Sequence, residues 1–333
     1  MILVTGGAGY IGSHCVLALF KEGYDVVVLD NLYTGHLETV KELSKYGNLE
    51  FIQGDLCNKA DIKKVFESYD IEAVIHFAAL ALVGESVIDP QKYYMNNVCG
   101  TLNLLEAMLA NDVKKIVFSS TAATYGEPLY SPIDEEHQQV PINPYGQSKL
   151  MVEKILDDYS KAYDLRSVRL RYFNVAGADS QTRVGENHAI ETHLIPNILK
   201  STFNNGKTFE MYGNDYPTKD GSCVRDYVNV EDLAQAHLQA LDYLNNGGET
   251  NFFNLGTKGG NTVKEVFEAC EKICKSSIPT KLCPRRPGDP SCLVADNTKA
   301  IKVLKWSPEK NLDDSIRSAY IWEKKLQSKE IKC

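Results

Sequence analysis

The 333-residue sequence has no long apolar run, no cysteine pair with metal-ligand spacing and no excess of positive charge. No apolar stretch approaches the roughly 18 residues that a membrane-spanning helix needs, so we expect no membrane span. A strand-like segment begins at residue 2, which predicts that no signal peptide precedes the fold. The net charge of −8 argues against nucleic acid or an anionic membrane as the partner.

The nine cysteines are scattered, and none of them belongs to a C-x-x-C pair or to a Cys/His set with zinc-like spacing. Cys270 and Cys274 share a helical face, where two thiols without further ligands are typical of a protein core. An odd number of cysteines without a signal peptide fits the reducing cytoplasm. We therefore predict no structural disulfide, no bound metal and a cytoplasmic location.

Short β-branched segments alternate with longer amphipathic segments over the first half of the chain. Strands are predicted at residues 2–6, 25–30, 49–55, 73–79, 115–121 and 167–175. Helices are predicted near residues 12–22, 37–46, 60–69, 91–111 and 145–163. Strands that are apolar almost throughout are buried on both faces, and their repeated alternation with helices is typical of a doubly wound α/β fold. The predicted fold is a Rossmann-type parallel sheet.

The pattern changes after about residue 178. Polar loops rich in glycine and proline separate helices predicted near residues 189–204, 231–246, 262–276 and 311–326. We predict a dinucleotide-binding domain over residues 1–177 and a smaller C-terminal α/β substrate-binding lobe over 178–333. Parts of 225–260 are expected to return to the first sheet.

The stretch "VTGGAGYIG" places Gly6, Gly9 and Gly12 directly after the first strand and at the start of a helix. Glycines in this position allow a tight turn and let the helix N-terminus present bare N–H groups to a pyrophosphate. Asp30 closes the second strand, where its carboxylate can accept hydrogen bonds from a ribose diol. Residues 31–40 contain no lysine or arginine to offset a 2′-phosphate, so NAD is favoured over NADP.

Two further strand ends fit the same cofactor. Asp55 ends the third predicted strand and could reach the adenine. The stretch "HFAA" ends the fourth strand and offers Phe77, Ala78 and Ala79 beside the pyrophosphate. Without the glycine loop, plain packing would explain these residues equally well.

Tyr145 and Lys149 stand four residues apart in "PYGQSKLMVEKIL", which places a phenol and an ammonium on one face of a helix. Asn143 is a good N-cap and Pro144 suits the first helical position, so Tyr145 should lie in the first turn. The helix dipole and the ammonium both favour negative charge there, so we expect a lowered pKa for the phenol. Such a tyrosine can act as a general base.

The fifth strand ends in "SSTAATYG", which places the hydroxyls of Ser119, Ser120 and Thr121 at the carboxyl edge of the sheet, where ligands bind. By itself, a Y-x-x-x-K pair is a solvated helix face. Beside a dinucleotide loop and a hydroxyl cluster, it predicts a catalytic base with its supporting lysine. A non-enzymatic NAD-sensing Rossmann protein is the alternative of another class, but it would have no need for Tyr145 and Lys149.

These residues resemble the short-chain dehydrogenase/reductase superfamily in its extended, nucleotide-sugar-modifying branch, and within it the UDP-glucose 4-epimerase family. The resemblance covers essentially the full chain. It is carried by the stretches "DNLYTG", "HFAALALVGESV", "YYMNNVCGT", "FSSTAATYGEP", "RYFNVAGA", "HLIP", "YGNDYPTKDGSCVRDYVNVEDLA" and "RRPGDP". The segment around "GNDYPTKDG" is the most specific of them.

The resemblance implies reversible C4 epimerisation of UDP-galactose and UDP-glucose, an isomerase activity of galactose metabolism. Bound NAD would take and return a hydride, with Tyr145 as acid and base and with Lys149 and Thr121 beside it. The implied NAD contacts are Gly6, Gly9, Tyr10, Ile11, Gly12, Asp30, Asn31, Asp55, Leu56, Phe77, Ala78, Ala79, Asn96, Ser119, Tyr145, Lys149 and Tyr172. The implied nucleotide-sugar contacts are Thr121, Tyr145, Asn174, His193, Leu194, Tyr212, Arg225, Tyr227, Arg286, Asp289 and Leu293.

Two arginines opposing a diphosphate are chemically reasonable, since guanidinium pairs with phosphate bidentately. The alternatives are a salt bridge of Arg225 with Asp226 or Asp232, and a solvated loop charge for Arg286. The resemblance also implies a homodimer, in which the helices near 91–111 and 145–163 would pair across a two-fold axis.

The sequence departs from the family's pattern at two positions. Many relatives have a cofactor-contacting lysine where this chain has Ala81, so NAD retention could be weaker or arranged differently. Leu293 occupies a position whose bulk helps to set the size of the sugar pocket, and leucine is intermediate there. Epimerases of UDP-N-acetylglucosamine, UDP-glucuronate or UDP-pentoses therefore stay open as alternatives.

A 4,6-dehydratase is an alternative activity within the same branch of the superfamily. That reaction needs an Asp–Glu pair after the first hydroxyl residue of the fifth strand. Here Ala122 and Ala123 follow Thr121, so no acid/base pair is present to eliminate water.

Overall fold

The computed structural model describes residues 1–203, 208–286 and 289–328. Its strands, in chain order, are β1 (Ile2–Thr5), β2 (Val26–Asp30), β3 (Leu49–Gln53), β4 (Ala73–His76), β5 (Lys115–Thr121), β6 (Arg166–Tyr172), β7 (Asn174–Ala176), β8 (Phe209–Tyr212), β9 (Val224–Arg225), β10 (Tyr227–Asn229), β11 (Asn251–Leu255), β12 (Asn261–Thr262), β13 (Thr280–Cys283) and β14 (Cys292–Leu293).

The helices are α1 (Tyr10–Lys21), α2 (Leu37–Leu43), α3 (Lys59–Ser68), α4 (Val83–Ile88), α5 (Pro90–Tyr93), α6 (Gly100–Ala110), α7 (Pro144–Tyr163), α8 (Leu194–Phe203), α9 (Val230–Asn245), α10 (Val263–Cys274), α11 (Thr298–Val303) and α12 (Leu312–Gln327). A π-helical segment, Tyr94–Cys99, joins α5 to α6. Across the described residues, no helix is both long and apolar enough to cross a membrane.

The central sheet has seven parallel strands in the spatial order β11-β6-β5-β4-β1-β2-β3. The strand order reverses between β1 and β4, because the chain leaves β1 towards β2 and later returns to β4 on the other side. In open α/β sheets, ligands bind at such a reversal, outside the carboxyl ends of the strands. The loops after β1, β4 and β5 therefore surround the expected binding crevice. The predicted Rossmann-type fold is confirmed.

Helices cover both faces of this sheet. Ile2 and Val4 of β1 point to the layer formed by α1 and α9, whereas Leu3 points to the layer of α3, α6 and α7. Strand side chains alternate between faces, so a sheet buried on both sides needs apolar residues at successive positions. This explains why β1, β2 and β4 have almost uninterrupted apolar sequences.

The later part of the chain builds three smaller sheets and its own core. The small sheets pair β10 with β7, β12 and β14 with β9, and β13 with β8. A separate apolar cluster packs α8, α10 and α12 around Ala176 and Phe209. In chain order, α9 and β11 interrupt these elements and belong with the large sheet. Helix α9 packs beside α1 on one face of the large sheet, and β11 forms the edge of that sheet.

Several predicted elements have different ends in the structure. The strand predicted at 167–175 is divided into β6 and β7. The strand predicted at 73–79 ends at His76, because residues 77–79 turn away as the loop at the carboxyl edge. The helix predicted near 91–111 is observed as α5, the π-helical segment and α6 in succession. The helix predicted near 189–204 begins only at Leu194, and residue 204 lies outside the described residues, as do 287–288 of "RRPGDP" and the C-terminal Cys333.

A buried ion pair lies beneath the middle of α7. The carboxylate of Glu153 on α7 accepts hydrogen bonds from the Arg171 guanidinium on β6, Nε to Oε1 at 2.9 Å and Nη2 to Oε2 at 2.5 Å. The two side chains are 2% and 3% exposed. Ser120 Oγ of β5 donates to the same carboxylate at 2.5 Å. One buried anion therefore connects α7 to two neighbouring strands.

We predict that Glu153→Gln lowers the free energy of unfolding by about 3–5 kcal/mol, because it leaves the Arg171 guanidinium buried without a counter-charge. Urea denaturation followed by circular dichroism measures the change. The matched control is Glu67→Gln, which removes a pair with Lys63 whose side chains are 63% and 72% exposed. This control should cost less than about 1 kcal/mol. Equal losses in the two variants would contradict the assignment.

Candidate active site

The loop after β1 forms a cradle of backbone atoms. Gly6 has φ +74°, and a Cβ on Gly12 would lie 2.2 Å from the Gly6 carbonyl oxygen. A side chain at Gly12 would thus force the loop away from the start of α1. Gly9 is the residue before α1 and has no side chain to cap it, so the first N–H groups of the helix face outward. The cradle fits a pyrophosphate, which such bare N–H groups bind.

Asp30 lies beside this cradle at the end of β2. Its buried carboxylate accepts hydrogen bonds from the Ala8 N–H at 3.0 Å and the Leu32 N–H at 2.8 Å. Burial raises the pKa of Asp30, and the two N–H groups oppose the shift. A carboxylate has about four acceptor sites, so two remain for a ribose diol. The residue therefore fits the adenosine end of a dinucleotide.

The adjoining strand ends carry most of the remaining cofactor candidates. Asn31 Nδ2 donates to Asp55 Oδ2 at 2.8 Å, which joins the ends of β2 and β3. The N–H groups of Phe77 and Ala78 donate to the Thr5 carbonyl at 3.0 and 3.1 Å, so the chain after β4 runs against the glycine loop. The other candidates lie along the same edge, in α1, after β3, after β4 and in the π-helical segment: Tyr10, Ile11, Leu56, Ala79 and Asn96.

A buried asparagine that the sequence analysis missed holds this edge together. Asn97 Oδ1 accepts from the Leu80 N–H at 2.8 Å, and its Nδ2 donates to the Leu80 carbonyl and to Ser148 Oγ, both at 3.0 Å. The loop after β4 is thereby joined to the first turns of α7. The motif "YYMNNVCGT" contained this residue, but the sequence alone did not indicate that it points inward from a π-helical segment.

The start of α7 places Tyr145 against the end of β5. Asn143 caps the helix, since its side chain accepts from the Gly146 N–H at 2.8 Å. A Cβ on Gly146 would lie 2.4 Å from the Ala123 carbonyl oxygen, so glycine allows the helix to approach the strand end closely. The Tyr145 hydroxyl is hydrogen-bonded to Thr121. The structure therefore brings these two candidate residues together.

Lys149 lies one turn further along α7 and is buried. Its ammonium donates to the Ser119 carbonyl at 2.8 Å and lies 4.8 Å from the centre of the Phe118 ring. Ser119 Oγ is in turn hydrogen-bonded to the Tyr172 hydroxyl. Burial lowers the pKa of Lys149 to about 7, against the opposing charge of Glu153. The lysine is thus held by the strand end that carries the hydroxyl cluster.

The pKa of Tyr145 differs from the sequence prediction. Burial raises the pKa of its phenol above the ordinary value, and the hydrogen bond with Thr121 opposes the shift only in part. The prediction of a lowered pKa is therefore wrong for the ligand-free protein. The reason is desolvation, which disfavours both the phenolate and the ammonium when no further charge is bound.

Two of the sugar-side candidates, Arg225 on β9 and Leu293 on β14, lie on the small sheet of β9, β12 and β14. Arg225 Nη2 donates to Asp289 Oδ1, and Leu293 is the strand partner of Arg225. The two carboxylates proposed as alternative partners are engaged elsewhere. Asp226 accepts from Thr257 and Ala295, and Asp232 from the N–H groups of Glu309 and Lys310. The alternative of a salt bridge with Asp226 or Asp232 is therefore wrong, because Arg225 pairs with Asp289 instead.

Arg286 is exposed, and its guanidinium lies 4.1 Å from the centre of the Tyr212 ring. The Tyr212 hydroxyl donates to Glu210 Oε2 at 2.7 Å. On the neighbouring two-stranded sheet, the Asn174 side chain is hydrogen-bonded to the Tyr227 hydroxyl. The structure thus groups four of the candidates into two contacting pairs.

His193 and Leu194 lie where the loop of residues 186–193 enters α8. His193 Nδ1 contacts Glu186 Oε1, and His188 and Glu191 lie beside them. Burial opposes protonation of His188, but its hydrogen bonds with the two carboxylates prevail and raise its pKa to about 9. The sequence analysis missed this group because it searched for cysteine-based sets. The signal was the repeat E-x-H-x-x-E-x-H.

The chain has close relatives of known name. A family model described as GDP-mannose 4,6 dehydratase matches residues 3–319. A UDP-glucose 4-epimerase of Lactobacillus helveticus is 51% identical over 97% of this chain and 97% of its own length.

The chain belongs to the UDP-glucose 4-epimerase family.

Solved structures agree with this membership. The crystal structure of the UDP-glucose 4-epimerase of Bifidobacterium longum in complex with NAD⁺ and UDP superposes with a TM-score of 0.93 at 41% sequence identity. The superposition covers 97% of this chain and 98% of the Bifidobacterium chain. The UDP-Glc/GlcNAc 4-epimerase of Campylobacter jejuni has a TM-score of 0.86 at 43% identity, covering 97% and 99% of the two chains. The predicted family and the predicted enzyme class, an isomerase, are confirmed.

The name of the matching family model is that of a dehydratase, but the site lacks the groups for that reaction. The short turn after Thr121 contains Ala122 and Ala123, and the Ala123 N–H donates to Thr121 Oγ1 at 3.1 Å. Alanine side chains can neither donate nor accept a proton. The residues at this position therefore favour an epimerase within the broader family.

The lowered pKa of Lys149 predicts a pH-dependent stability. Between about pH 7 and 10.4 the unfolded chain holds the lysine proton more tightly than the folded chain does. Stability due to this group therefore rises with pH across that window, by about 4 kcal/mol in total. We expect the stability of the wild type relative to Lys149→Met to increase from pH 7 to pH 9 in urea denaturation. The matched control, exposed Lys154→Met on the same helix, should give a flat difference; a flat difference for Lys149 would refute the prediction.

Proposed function

We propose that this enzyme interconverts UDP-galactose and UDP-glucose by inverting C4 of the sugar, with NAD as its resident cofactor. The observation that carries the proposal is the geometry at the end of β5. The Tyr145 hydroxyl is bound to Thr121, and the Lys149 ammonium is bound to the Ser119 carbonyl. This arrangement lies at the carboxyl edge of the sheet, next to the glycine cradle, where a cofactor and a hydroxyl substrate would meet.

The backbone cradle and Asp30 would hold NAD, the cradle at its pyrophosphate and the carboxylate at its adenosine ribose. When bound, NAD would supply a nicotinamide able to accept a hydride from C4 and to return it to the opposite face of the sugar. A positive charge at short range favours the phenolate. The positive charge of NAD⁺ would therefore oppose the rise in the pKa of Tyr145 that burial causes.

Tyr145 Oη takes the proton of the sugar's C4 hydroxyl, and the same atom later returns it to the 4-keto oxygen. Thr121 orients the phenol through its hydrogen bond and offers a second hydroxyl to the reacting oxygen. Lys149 stabilises the phenolate as a nearby ammonium, and its bond to the Ser119 carbonyl keeps the ammonium in place. Proton transfer by a positioned group of this kind contributes about 10²–10⁴ in rate.

Arg225 and Arg286 would bind the diphosphate of UDP. The Arg225 guanidinium is paired with Asp289, which compensates its charge and fixes its orientation. Arg286 is exposed on the ring of Tyr212, where it is free to reorient. The guanidinium group suits this task because it can bind phosphate oxygens bidentately. Asn174, Tyr227, His193 and Leu194 stay predictions as further contacts.

The identity of the sugar is the finer part of the proposal. Leu293 is paired in register with Arg225, so the residue that would set pocket size lies one strand away from the residue that would hold the phosphate. A leucine of intermediate bulk is compatible with glucose and galactose, and the alternatives are epimerases of UDP-N-acetylglucosamine, UDP-glucuronate or UDP-pentoses. The Campylobacter jejuni relative is named for both kinds of substrate.

Three further predictions from the sequence stay proposals. They are the division of the chain at residue 177, the cytoplasmic location and the homodimer. The homodimer is supported by exposed apolar side chains on the predicted helical face, with Met95 51% exposed and Met151 39% exposed.

The substrate proposal predicts that the purified enzyme turns over UDP-galactose in a coupled assay that detects UDP-glucose. UDP-N-acetylgalactosamine, assayed in parallel by its own product, should turn over more slowly because Leu293 restricts the pocket. Denatured protein should release about one NAD per chain, measured enzymatically in the supernatant. If neither sugar reacts although NAD is present, the proposed activity is wrong; if no NAD is released and added NAD does not bind, the cofactor assignment is wrong.

For Tyr145→Phe we expect kcat to fall by a factor of about 10²–10⁴, since the variant removes the proton-carrying atom and little else. NAD content should be retained, because the cofactor is held mainly by backbone groups and Asp30. Tyr163→Phe is the matched control, a half-exposed tyrosine near the end of the same helix, and should keep wild-type activity. A Tyr145→Phe enzyme with native kcat would remove Tyr145 from the mechanism.

A further inference from the structure

The loop of residues 186–193 brings four potential metal ligands to one point. Glu186, His188, Glu191 and His193 each offer one donor atom, and these atoms all lie within 4.8 Å of one another. The two carboxylate side chains are 7% and 6% exposed. The epimerase chemistry described above uses neither carboxylate and not His188, so the cluster needs an explanation of its own.

Glu186 Oε1 and His193 Nδ1 are in direct hydrogen-bond contact, and three other distances between the donor atoms are near those of a tetrahedral site. Glu186 Oε1 lies 3.1 Å from His188 Nδ1, and Glu191 Oε1 lies 3.5 Å from His193 Nδ1 and 3.9 Å from His188 Nδ1. Zinc bonds to nitrogen and oxygen ligands are about 2.0–2.2 Å long, which separates neighbouring ligands of a tetrahedron by about 3.4 Å. Small side-chain rotations would therefore bring all four atoms onto one ion.

The charges of the cluster also suit a cation. Glu186 and Glu191 place two carboxylates side by side away from water, and buried charges are costly unless they are paired. In the structure their partners are the imidazoles of His188 and His193, together with Lys200 Nζ at 3.3 Å from Glu191 Oε2. A divalent ion at the centre would neutralise both carboxylates and would leave both imidazoles neutral, as metal ligands must be.

The surroundings of the ligands resemble the supporting contacts of metal sites, where ligands are held by outer hydrogen bonds. The N–H groups of Thr192 and His193 donate to Glu191 Oε1, both at 2.9 Å. The Glu186 carbonyl accepts from Trp322 Nε1 of α12 at 2.8 Å. The backbone that carries the four ligands is thus fixed from both sides.

We propose that Glu186, His188, Glu191 and His193 form a binding site for one divalent transition-metal ion, with Zn²⁺ as the best match to two imidazoles and two carboxylates. Imidazole ligands favour zinc and its neighbours over magnesium and calcium. The ion closes the loop of residues 186–193 on itself in front of α8. The loop also touches the cofactor side, since His36 Nε2 and the Asn187 carbonyl oxygen are 2.7 Å apart and the rings of Tyr10 and His188 are 6.5 Å apart. The ion has a structural role and takes no part in the proposed proton transfer, although His193 is also one of the candidate nucleotide-sugar contacts.

The test is a metal-binding measurement on the full-length chain. Protein stripped with a chelator is dialysed against Zn²⁺, and bound metal is counted by plasma mass spectrometry. We expect one Zn²⁺ per chain and a rise in melting temperature. Titration with Co²⁺ should give the d–d absorption of a tetrahedral site without a sulfur-to-cobalt charge-transfer band. That band would reveal cysteine ligands instead, and eight free cysteines are present in the described residues.

Two variants locate the site. Glu191→Gln and His188→Ala should weaken Zn²⁺ binding by more than about 100-fold, beyond the loss seen when only an outer support of a metal site is removed. The matched control is Glu268→Gln, an exposed glutamate of α10 with the same change of charge, which should bind like wild type. Circular dichroism and NAD content check that each variant is folded.

The proposal is overturned if wild-type protein binds no Zn²⁺ and no Co²⁺, which would leave the cluster as carboxylates paired with protonated imidazoles. It is also overturned if the Co²⁺ spectrum has sulfur charge transfer, or if both variants keep full affinity. Because these readouts do not depend on sugar turnover, they separate a failure of the metal site from a failure of the proposed activity.

Discussion

The buried carboxylate of Glu153 is the interaction on which the active-site geometry depends. It binds Arg171 on β6 and Ser120 on β5, and its charge partly offsets the cost of burying the Lys149 ammonium one turn earlier on α7. The helix that carries Tyr145, the strand with the hydroxyl cluster and the next strand are therefore fixed by one anion. An active site of this kind needs such support, because small displacements of a proton-carrying group cost large factors in rate.

Much of the fold was predictable from the sequence, because the central strands are buried on both faces and need apolar residues at successive positions. The glycine loop, Asp30 and the Tyr145–Lys149 pair were also predictable, since each follows from local spacing next to a strand or helix end. The π-helical segment was not, because its extra residue leaves no mark in the pattern of apolar residues. The edge strand β11 was foreseen only as part of a returning segment, since its pairing with β6 joins residues about eighty positions apart.

In the candidate site, too, contacts between residues near in sequence were predictable, and contacts between residues distant in sequence were not. The capping of α7 by Asn143 was readable in sequence, whereas the partner of Arg225 was not. The nearby aspartates in sequence are engaged by backbone N–H groups, and the true partner is Asp289 in a distant loop. The direction of the Tyr145 pKa was also missed, since the neighbouring ammonium was visible in the sequence and the degree of burial was not. The glutamate–histidine repeat was readable but escaped a search directed at cysteines.

The π-helical segment has a consequence for how this chain can change in evolution. A π-turn is an α-helix with one inserted residue, and such insertions persist where they aim a side chain that function needs. Each residue of an α-helix turns the next by about 100°, so deleting one residue within Tyr94–Cys99 would restore a regular helix and swing Asn97 away from both Leu80 and Ser148. A change of length in this segment should therefore be rejected among descendants of this chain.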